Sequence, residues 1–226
     1  MAGLLISFEG GEGSGKSTQI ARIAARLRRR GVEPVTTREP GGTPLAEAVR
    51  AVLLDPGLEP SAVVEALLVE AARADLVDRV VRPALAAGRV VLCDRFVDST
   101  LAYQGGGRGL DRATLEAWNR AATGGLTADL TLLFDVDPAL GLARRAGAEP
   151  PPSGPPADGR NRLDREPVDF HRRVRACFLE LAQREPGRFV VVDAAAEAGK
   201  VESLAWAAIE ARLMGLGVSS LGSGSP

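Results

Sequence analysis

The chain has 226 residues, and 45% of them are hydrophobic, which is enough to bury one core. Its formal net charge of −1 at pH 7 gives no electrostatic reason to expect a nucleic acid or a membrane surface as a partner. We expect neither a secretory signal nor a membrane span, because the apolar runs are short. The two cysteines, Cys93 and Cys177, do not suggest a disulfide framework and are typical of a cytoplasmic protein.

The first half of the chain begins with an apolar strand, Leu4–Glu9, and a helix that ends near Gly31. A second strand over residues 33–37 and a short helix around Val49 and Leu53 follow. In the first helix, apolar residues recur at i, i+3, i+4 and i+7, which predicts one buried stripe. This stripe consists of Ile20, Ile23, Ala24 and Leu27.

The middle of the chain contains a predicted long helix that Ser61 caps and that runs to about Gly88. Pro83 should kink or shorten this helix, because proline cannot donate the helical hydrogen bond. The third strand is Val90–Asp94, and Asp111 is the expected N-cap of the next helix.

Two further strands, Leu130–Asp135 and Phe189–Asp193, complete a set of five. Helices are predicted after the N-cap Asp137, after Pro167 and over residues 201–214. The strands are short, apolar nearly throughout and separated by helices. This pattern predicts an α/β fold, a three-layer α/β/α sandwich around a five-stranded parallel sheet.

Two segments do not fit regular structure. Residues 149–159 read EPPPSGPPADG and predict a mobile loop inside a lid at about residues 144–166. Residues 215–226 are rich in glycine and serine and predict a disordered tail. The remaining residues, 1–214, are interpreted as one domain.

Residues 10–17 read GGEGSGKS and match the phosphate-binding pattern G-x-x-x-x-G-K-[ST]. Glycines let such a loop curl with its N–H groups towards a phosphate, and the next helix directs its positive N-terminus at the same anion. Lys16 is expected to reach the β- and γ-phosphates of ATP, and Ser17 to ligate Mg²⁺. The predicted ATP-binding residues are Gly10, Gly11, Glu12, Gly13, Ser14, Gly15, Lys16, Ser17 and Thr18.

Several segments favour a small-molecule kinase among the proteins that carry this loop. The guanine-reading motif of GTPases and the signature of transport ATPases are absent from the sequence. TREPGGT at 37–43 and DRF at 94–96 lie at the ends of predicted strands, and YQGGGRG at 103–109 follows soon after. Ligands of open parallel sheets bind beyond the carboxyl ends of the strands, so these segments can form one cleft with the phosphate loop.

With these motifs in this order, the sequence closely resembles the bacterial thymidylate kinases over about residues 4–212. TREPGGT and AYQGGGRG are not shared with adenylate, shikimate or gluconate kinases. The resemblance implies a P-loop NTPase fold of the nucleoside monophosphate kinase type. It also implies transfer of the γ-phosphoryl group of ATP to dTMP, giving dTDP for dTTP biosynthesis, with Mg²⁺ and usually as a homodimer.

The resemblance also implies roles for individual residues. Glu12 would contact the 3′-hydroxyl of the dTMP sugar, and Arg38 and Arg95 would grip the acceptor phosphate. Arg73 would meet the thymine base, and Asp94 would help to hold Mg²⁺ through water. The other residues implied for the acceptor site are Glu39, Pro40, Val69, Ser99, Tyr103 and Gln104.

The phosphate loop contains no arginine, which matches the bacterial variant of the family, where lid arginines supply positive charge to the transferred phosphoryl group. Arg145 is one of the arginines that flank the Pro-rich segment. The predicted catalytic residues are Lys16, Arg95, Arg144, Arg160, Arg162 and Arg165.

One position departs from the family. Val69 stands where an aromatic residue usually stacks on thymine. A valine can still pack on the ring, with about 1 kcal/mol less stacking energy, or alternatively Phe96 or Tyr103 compensates. His171, the only histidine, is expected at the surface without a catalytic role. Two alternatives stay open: a deoxynucleoside or other small-metabolite kinase, and a non-catalytic ATP-binding protein.

Overall fold

The computed structural model describes residues 3–147 and 161–215. All strands pair in parallel, in the order β2-β3-β1-β4-β5. The strands are β1 (Leu4–Glu9), β2 (Val35–Arg38), β3 (Val90–Asp94), β4 (Leu130–Asp135) and β5 (Phe189–Asp193). The predicted five-stranded sheet is therefore confirmed, with β2 as the one strand whose bounds differ. Its start moves past Pro34, which has no N–H to donate to a strand ladder.

Helices fill the connections between the strands. They are α1 (Lys16–Arg29), α2 (Pro44–Leu54), α3 (Ala62–Leu76), α4 (Arg82–Ala86), α5 (Val97–Thr100), α6 (Arg112–Thr123), α7 (Pro138–Ala146), α8 (Val168–Arg184) and α9 (Ala198–Gly215). Ser61, Asp111 and Asp137 cap α3, α6 and α7 through their side chains, as predicted. Helix α9 includes Gly215, and residues 216–226 of the predicted tail lie outside the described part of the chain.

Both faces of the sheet are covered by helices. Leu4, Ile6 and Phe8 of β1 face a core that includes residues of α1 and α9. Leu5, between them, faces the opposite core, which contains residues of α3 and α4. This alternation confirms the predicted three layers, because successive side chains of a strand point to opposite faces. No helix within residues 3–147 and 161–215 is both long and apolar enough to traverse a lipid bilayer.

Two π-helical segments interrupt the regular helices. Val77–Val81 joins α3 to α4, so the predicted long helix is continuous and widens just before Pro83. Leu101–Gly107 continues α5, although its run of glycines did not predict a helix. A Cβ on Gly106 would lie 2.7 Å from the Cβ of Cys177 in α8. Close packing against α8, which only glycine permits, explains the helical path.

Candidate functional site

The phosphate loop connects β1 to α1 at the carboxyl end of the central strand. Gly10, Gly13 and Gly15 have φ angles of 137°, 64° and 83°, a backbone region that other residues rarely adopt. A Cβ on Gly13 would also overlap the carbonyl oxygen of Gly141 in α7. The loop therefore has its curled shape because glycines permit both the backbone angles and the close approach of α7.

Lys16 lies in the first turn of α1 and is buried, with its ammonium group turned into the loop. Nζ donates to the carbonyl oxygens of Gly10 and Gly11 at 3.0 and 2.9 Å and to Ser14 Oγ at 3.1 Å. Burial and the nearby Arg95 lower the pKa of Lys16 to about 8. The ammonium group is thus held at the centre of a loop whose N–H groups and helix N-terminus suit a phosphate.

Ser17 and Asp94 provide oxygen ligands beside this loop. The Ser17 hydroxyl donates to Asp94 Oδ2 at 2.9 Å, in an exposed position at the carboxyl ends of β1 and β3. A hydroxyl and a carboxylate oxygen suit Mg²⁺, which prefers hard oxygen ligands and usually keeps several waters and substrate phosphate oxygens. The pair that the sequence predicted as the metal site is therefore brought together.

Glu12 links the phosphate loop to the cleft beside it. Its Oε1 accepts hydrogen bonds from Arg95 and from the Tyr103 hydroxyl, both at 2.8 Å. Burial favours the neutral acid, but Arg95, Lys16 and Tyr103 outweigh it and lower the pKa of Glu12 to about 2. Arg95 also donates to the carbonyl oxygen of Gly10 at 3.0 Å and stacks over the Tyr103 ring.

Glu9 is a residue of the site that the sequence analysis missed. It is the last residue of β1, and its carboxylate accepts hydrogen bonds from the Phe96 N–H at 2.7 Å and the Ser99 hydroxyl at 2.6 Å. Burial and the nearby Asp98 raise the pKa of Glu9 to about 7. Glu9 therefore fixes the segment that carries Arg95. The backbone of Arg95 needs such support, because its φ of 71° lies in the left-handed region that residues other than glycine rarely adopt. A charged residue at the end of an otherwise apolar strand was the available signal.

The cleft beside Glu12, called the acceptor cleft below after its predicted ligand, contains about 580 Å³ of space that is partly open to solvent. Most of the residues predicted for the acceptor line it, and Val69 is half-buried in its wall. Phe96 is fully buried with the Arg73 guanidinium over its ring, so it does not replace the missing aromatic residue. The lining includes Glu12, Glu39, Pro40, Arg50, Val69, Arg73, Arg95, Ser99, Tyr103, Gln104, Asn161 and Leu163.

Arg73 is at the inner end of this cleft, with only 1% of the residue exposed. Its guanidinium donates to Glu39 and Glu70, both at 2.7 Å, and to Asn119 at 2.6 Å. Further acceptors are Thr100 Oγ1 and the Phe96 carbonyl oxygen. The guanidinium is thus rigidly oriented, and its predicted contact with a base remains a prediction.

Two other arginines lie near Arg95. Arg38 is at the end of β2, outside the acceptor cleft, and pairs with Glu47 at 3.0 Å. Arg50 lines the cleft but was not predicted from the sequence. The available signal was its spacing, which places it on the same face of α2 as the buried Ala46 and Leu53. Burial and the positive charges of Arg38 and Arg95 lower the pKa of Arg50. A bound anion would relieve this repulsion.

The described lid arginines contact protein groups on the two sides of the site. Arg144 donates to the carbonyl oxygens of Ala194 and Ala195 after β5, and Arg145 lies 3.5 Å from Asp164. Arg162 binds Glu65 of α3 at 2.6 Å. Arg165 is exposed. Arg160 and residues 149–159 lie outside the described part of the chain, and the catalytic roles of these arginines remain predictions.

The predicted surface position of His171 is wrong, because only 4% of this residue is exposed. His171 lies on the buried face of α8, beside Phe170, and lines a second cavity next to Gly11 and Glu12. Burial lowers its pKa. The charged stretch HRRVR suggested a solvated helix, but residues 170, 171 and 174 share the inner face of that helix.

Comparisons with known proteins agree on one family. A family model described as thymidylate kinase matches residues 8–204. The thymidylate kinase of Deinococcus radiodurans is 51% identical over 210 residues, covering 93% of this chain and 98% of that protein. The thymidylate kinase of Thermomicrobium roseum is 52% identical over 205 residues, covering 90% and 93%.

A solved structure extends this agreement to the fold. The crystal structure of thymidylate kinase from Ehrlichia chaffeensis is similar with a TM-score of 0.72 and 30% sequence identity, and the match covers 93% of this chain and 99% of that one. Neither alternative left open by the sequence is favoured by these matches. The chain is therefore a kinase, and it belongs to the thymidylate kinase family.

Proposed function

We propose that ATP is the phosphoryl donor and Mg²⁺ the metal when this member of the thymidylate kinase family phosphorylates dTMP to dTDP. The contact between Glu12 and the acceptor cleft carries the proposal. Glu12 belongs to the phosphate loop, yet Arg95 and Tyr103 of the cleft donate to it. The two halves of the site share one wall, and such proximity and orientation of donor and acceptor is what phosphoryl transfer requires.

On the donor side, Lys16 and the N-terminus of α1 would bind the phosphates of ATP. Ser17 and Asp94 would hold Mg²⁺ together with phosphate and water oxygens. When bound, Mg²⁺ neutralises charge on the β- and γ-phosphates. Arg144 reaches the loop after β5, so it connects α7 to a neighbouring strand end.

On the acceptor side, we assign the dTMP phosphate to Arg95 and Arg50, with Arg38 beside them. A guanidinium fork donates two hydrogen bonds to one phosphate, which suits this role. Arg73, Val69 and Gln104 would surround the base. The acceptor phosphate is already an anionic nucleophile at pH 7, so the chain does not need to supply a general base.

Arginines from the lid complete the proposed mechanism. Phosphoryl transfer passes through a loose transition state, and it is accelerated mainly by positioning and positive charge. Arg144, Arg160 and Arg165 remain the candidates to supply this charge, whereas the fourth predicted lid arginine, Arg162, is bound to Glu65 on the acceptor side. The lid itself, at about residues 144–166 of the single domain 1–214, is part of the proposal.

We also propose a homodimer in the cytoplasm. Exposed apolar side chains lie on α2 and α3, which pack against each other, and a second copy would cover them. These side chains are Leu45, Val52, Val63, Val64 and Leu67. Leu67→Arg should convert the dimer to a monomer in sedimentation measurements.

The proposed location in the cytoplasm is supported by the cysteines. Both cysteines are free thiols, as is usual in a reducing compartment.

The activity test uses ATP and Mg²⁺ with each natural nucleoside monophosphate and with thymidine. We expect dTMP to be the preferred acceptor and turnover to stop when the metal is chelated. Preference for another monophosphate, or thymidine turnover as fast as that of dTMP, would contradict the proposal. Turnover that continues without a divalent metal would contradict the assignment of Ser17 and Asp94.

A further inference from the structure

Glu65 is a buried carboxylate behind the acceptor cleft. It lies in the first turn of α3, and its side chain is only 2% exposed. Gln104 Nε2 donates to its Oε1 at 2.8 Å, whereas Arg108 and Arg162 donate to its Oε2 at 3.0 and 2.6 Å. These three donors come from two segments that are distant from α3 in the sequence, so Glu65 joins separate parts of the molecule.

One of these segments is the arm, which we define as residues 161–166. Arg162 fixes the arm a second time, because its Nε donates to the carbonyl oxygen of Leu53 at the end of α2 at 3.1 Å. The same arm contributes Asn161 and Leu163 to the wall of the acceptor cleft. The contact between Glu65 and Arg162 thus holds a part of the chain that lines the acceptor cleft.

The charges in this cluster balance. Arg108 also pairs with Glu166 of the arm at 2.7 Å, so two carboxylates face two guanidinium groups. Burial favours the neutral acid, but hydrogen bonds from Arg108, Gln104 and Arg162 outweigh it and lower the pKa of Glu65. Loss of the carboxylate would leave two guanidinium groups without their shared partner, which is unfavourable in a buried site.

We propose that Glu65 is a positioning residue for acceptor binding, which fixes Gln104 in the cleft wall and clamps the arm against α2 and α3. Arg162 then holds the arm in place at the acceptor cleft and does not act on the transferred phosphoryl group. Within residues 3–147 and 161–215, the hydrogen bonds of Glu65 and Arg162 go to the acceptor side and none goes to residues 10–17. The inference rests on the proposed function only in taking dTMP as the acceptor.

The test compares Glu65→Gln with Glu116→Gln. Glu116 is another helical glutamate with an arginine partner, but its side chain is 44% exposed. Because a buried charged hydrogen bond is lost, we expect Glu65→Gln to raise the KM for dTMP roughly tenfold, while the KM for ATP changes by less than about twofold. Hydrogen exchange over the arm should accelerate in the ligand-free protein. Glu116→Gln should alter neither quantity.

A second variant keeps the inference testable if Glu65→Gln does not fold. Arg162→Met releases the arm but leaves the hydrogen bond between Glu65 and Gln104. It should accelerate hydrogen exchange over the arm and raise the KM for dTMP. Arg162→Lys should restore part of the lost acceptor affinity. Equal changes in both KM values, or unchanged exchange over the arm, would overturn the inference. A wild-type protein that ignores dTMP would overturn the proposed function instead, and the exchange measurement would still test the clamp.

Discussion

The phosphate loop and the acceptor cleft meet at Glu12, but they are built in different ways. The loop consists of eight consecutive residues, and its shape depends on glycine backbone angles and a close approach to Gly141. The cleft consists of side chains from α2, α3, the segments after β2 and β3 and the arm, and the loop contributes Glu12. Those side chains are held by buried ion pairs such as that between Arg73 and Glu39.

This difference predicts how turnover and stability should respond to substitutions in each region. A side-chain change in the loop removes a group that we propose binds the phosphates, while the glycines that shape the loop remain. A change among the buried charges of the cleft leaves an unpaired charge in the interior, which costs folding free energy as well as acceptor binding. Turnover and stability should therefore respond separately in the two regions.

The largest expected effect is that of Lys16→Met on turnover. Methionine keeps most of the apolar stem but removes the ammonium group, so we expect kcat to fall by about 10²–10³ while the unfolding free energy changes by about 1 kcal/mol or less. Lys200→Met is the matched control, since Lys200 is the other lysine of the chain and is exposed. Near-normal turnover of Lys16→Met would refute the role of the loop.

Arg73→Leu should affect stability most. The change leaves Glu39 and Glu70 buried without their partner, so we expect a loss of about 3 kcal/mol in urea unfolding. Arg79→Leu is the control, because Arg79 pairs with Asp75 at a similar distance of 2.6 Å but is 70% exposed. Its stability should remain close to that of the wild type. Equal losses of unfolding free energy in the two variants would show that burial does not make the Arg73 ion pairs more important for stability than the exposed Arg79 pair.

Glu9→Gln should change the pH dependence of stability. The folded pKa of Glu9, about 7, lies above its usual value of 4.5, so the folded protein binds more protons than the unfolded chain between these values. This group therefore makes stability fall as pH rises from about 4.5 to 7, by up to about 1.4 kcal/mol per pH unit. Urea unfolding of both proteins across this range should show a stability difference that grows in favour of Glu9→Gln with pH. A constant difference would mean that Glu9 ionises normally.

Local patterns predicted much of the fold and the loop. Residues 10–17, the bounds of β1 and the N-caps Ser61 and Asp137 depend on neighbours within a few positions, so the sequence contains the necessary information. The end of β1 was also predicted correctly, but the function of Glu9 was not, because its partners Phe96 and Ser99 are distant in the sequence.

The sequence predicted part of the lining of the cleft, but not Arg50, Asn161 or Leu163, and not the contacts that hold the lining in place. The resemblance pointed to Arg73 and Gln104 as site residues. It did not predict that Glu65 and Arg162 form the contacts around them, because pairings between buried charges depend on the packing of distant elements. The helical path of Leu101–Gly107 has the same origin, because its glycines are selected by contact with α8 rather than by helix propensity.

Val69→Phe should have the smallest effect, and it tests whether the cleft has room for the aromatic ring that its relatives are expected to carry. Val69 is half-buried in the wall, so a ring there could stack on the base and contribute about 1 kcal/mol, which lowers the dTMP KM roughly fivefold. Val191→Phe, at an exposed position of β5, is the control. A higher dTMP KM with an unchanged ATP KM would show instead that the buried charges have fixed a narrower cleft, into which the larger side chain does not fit.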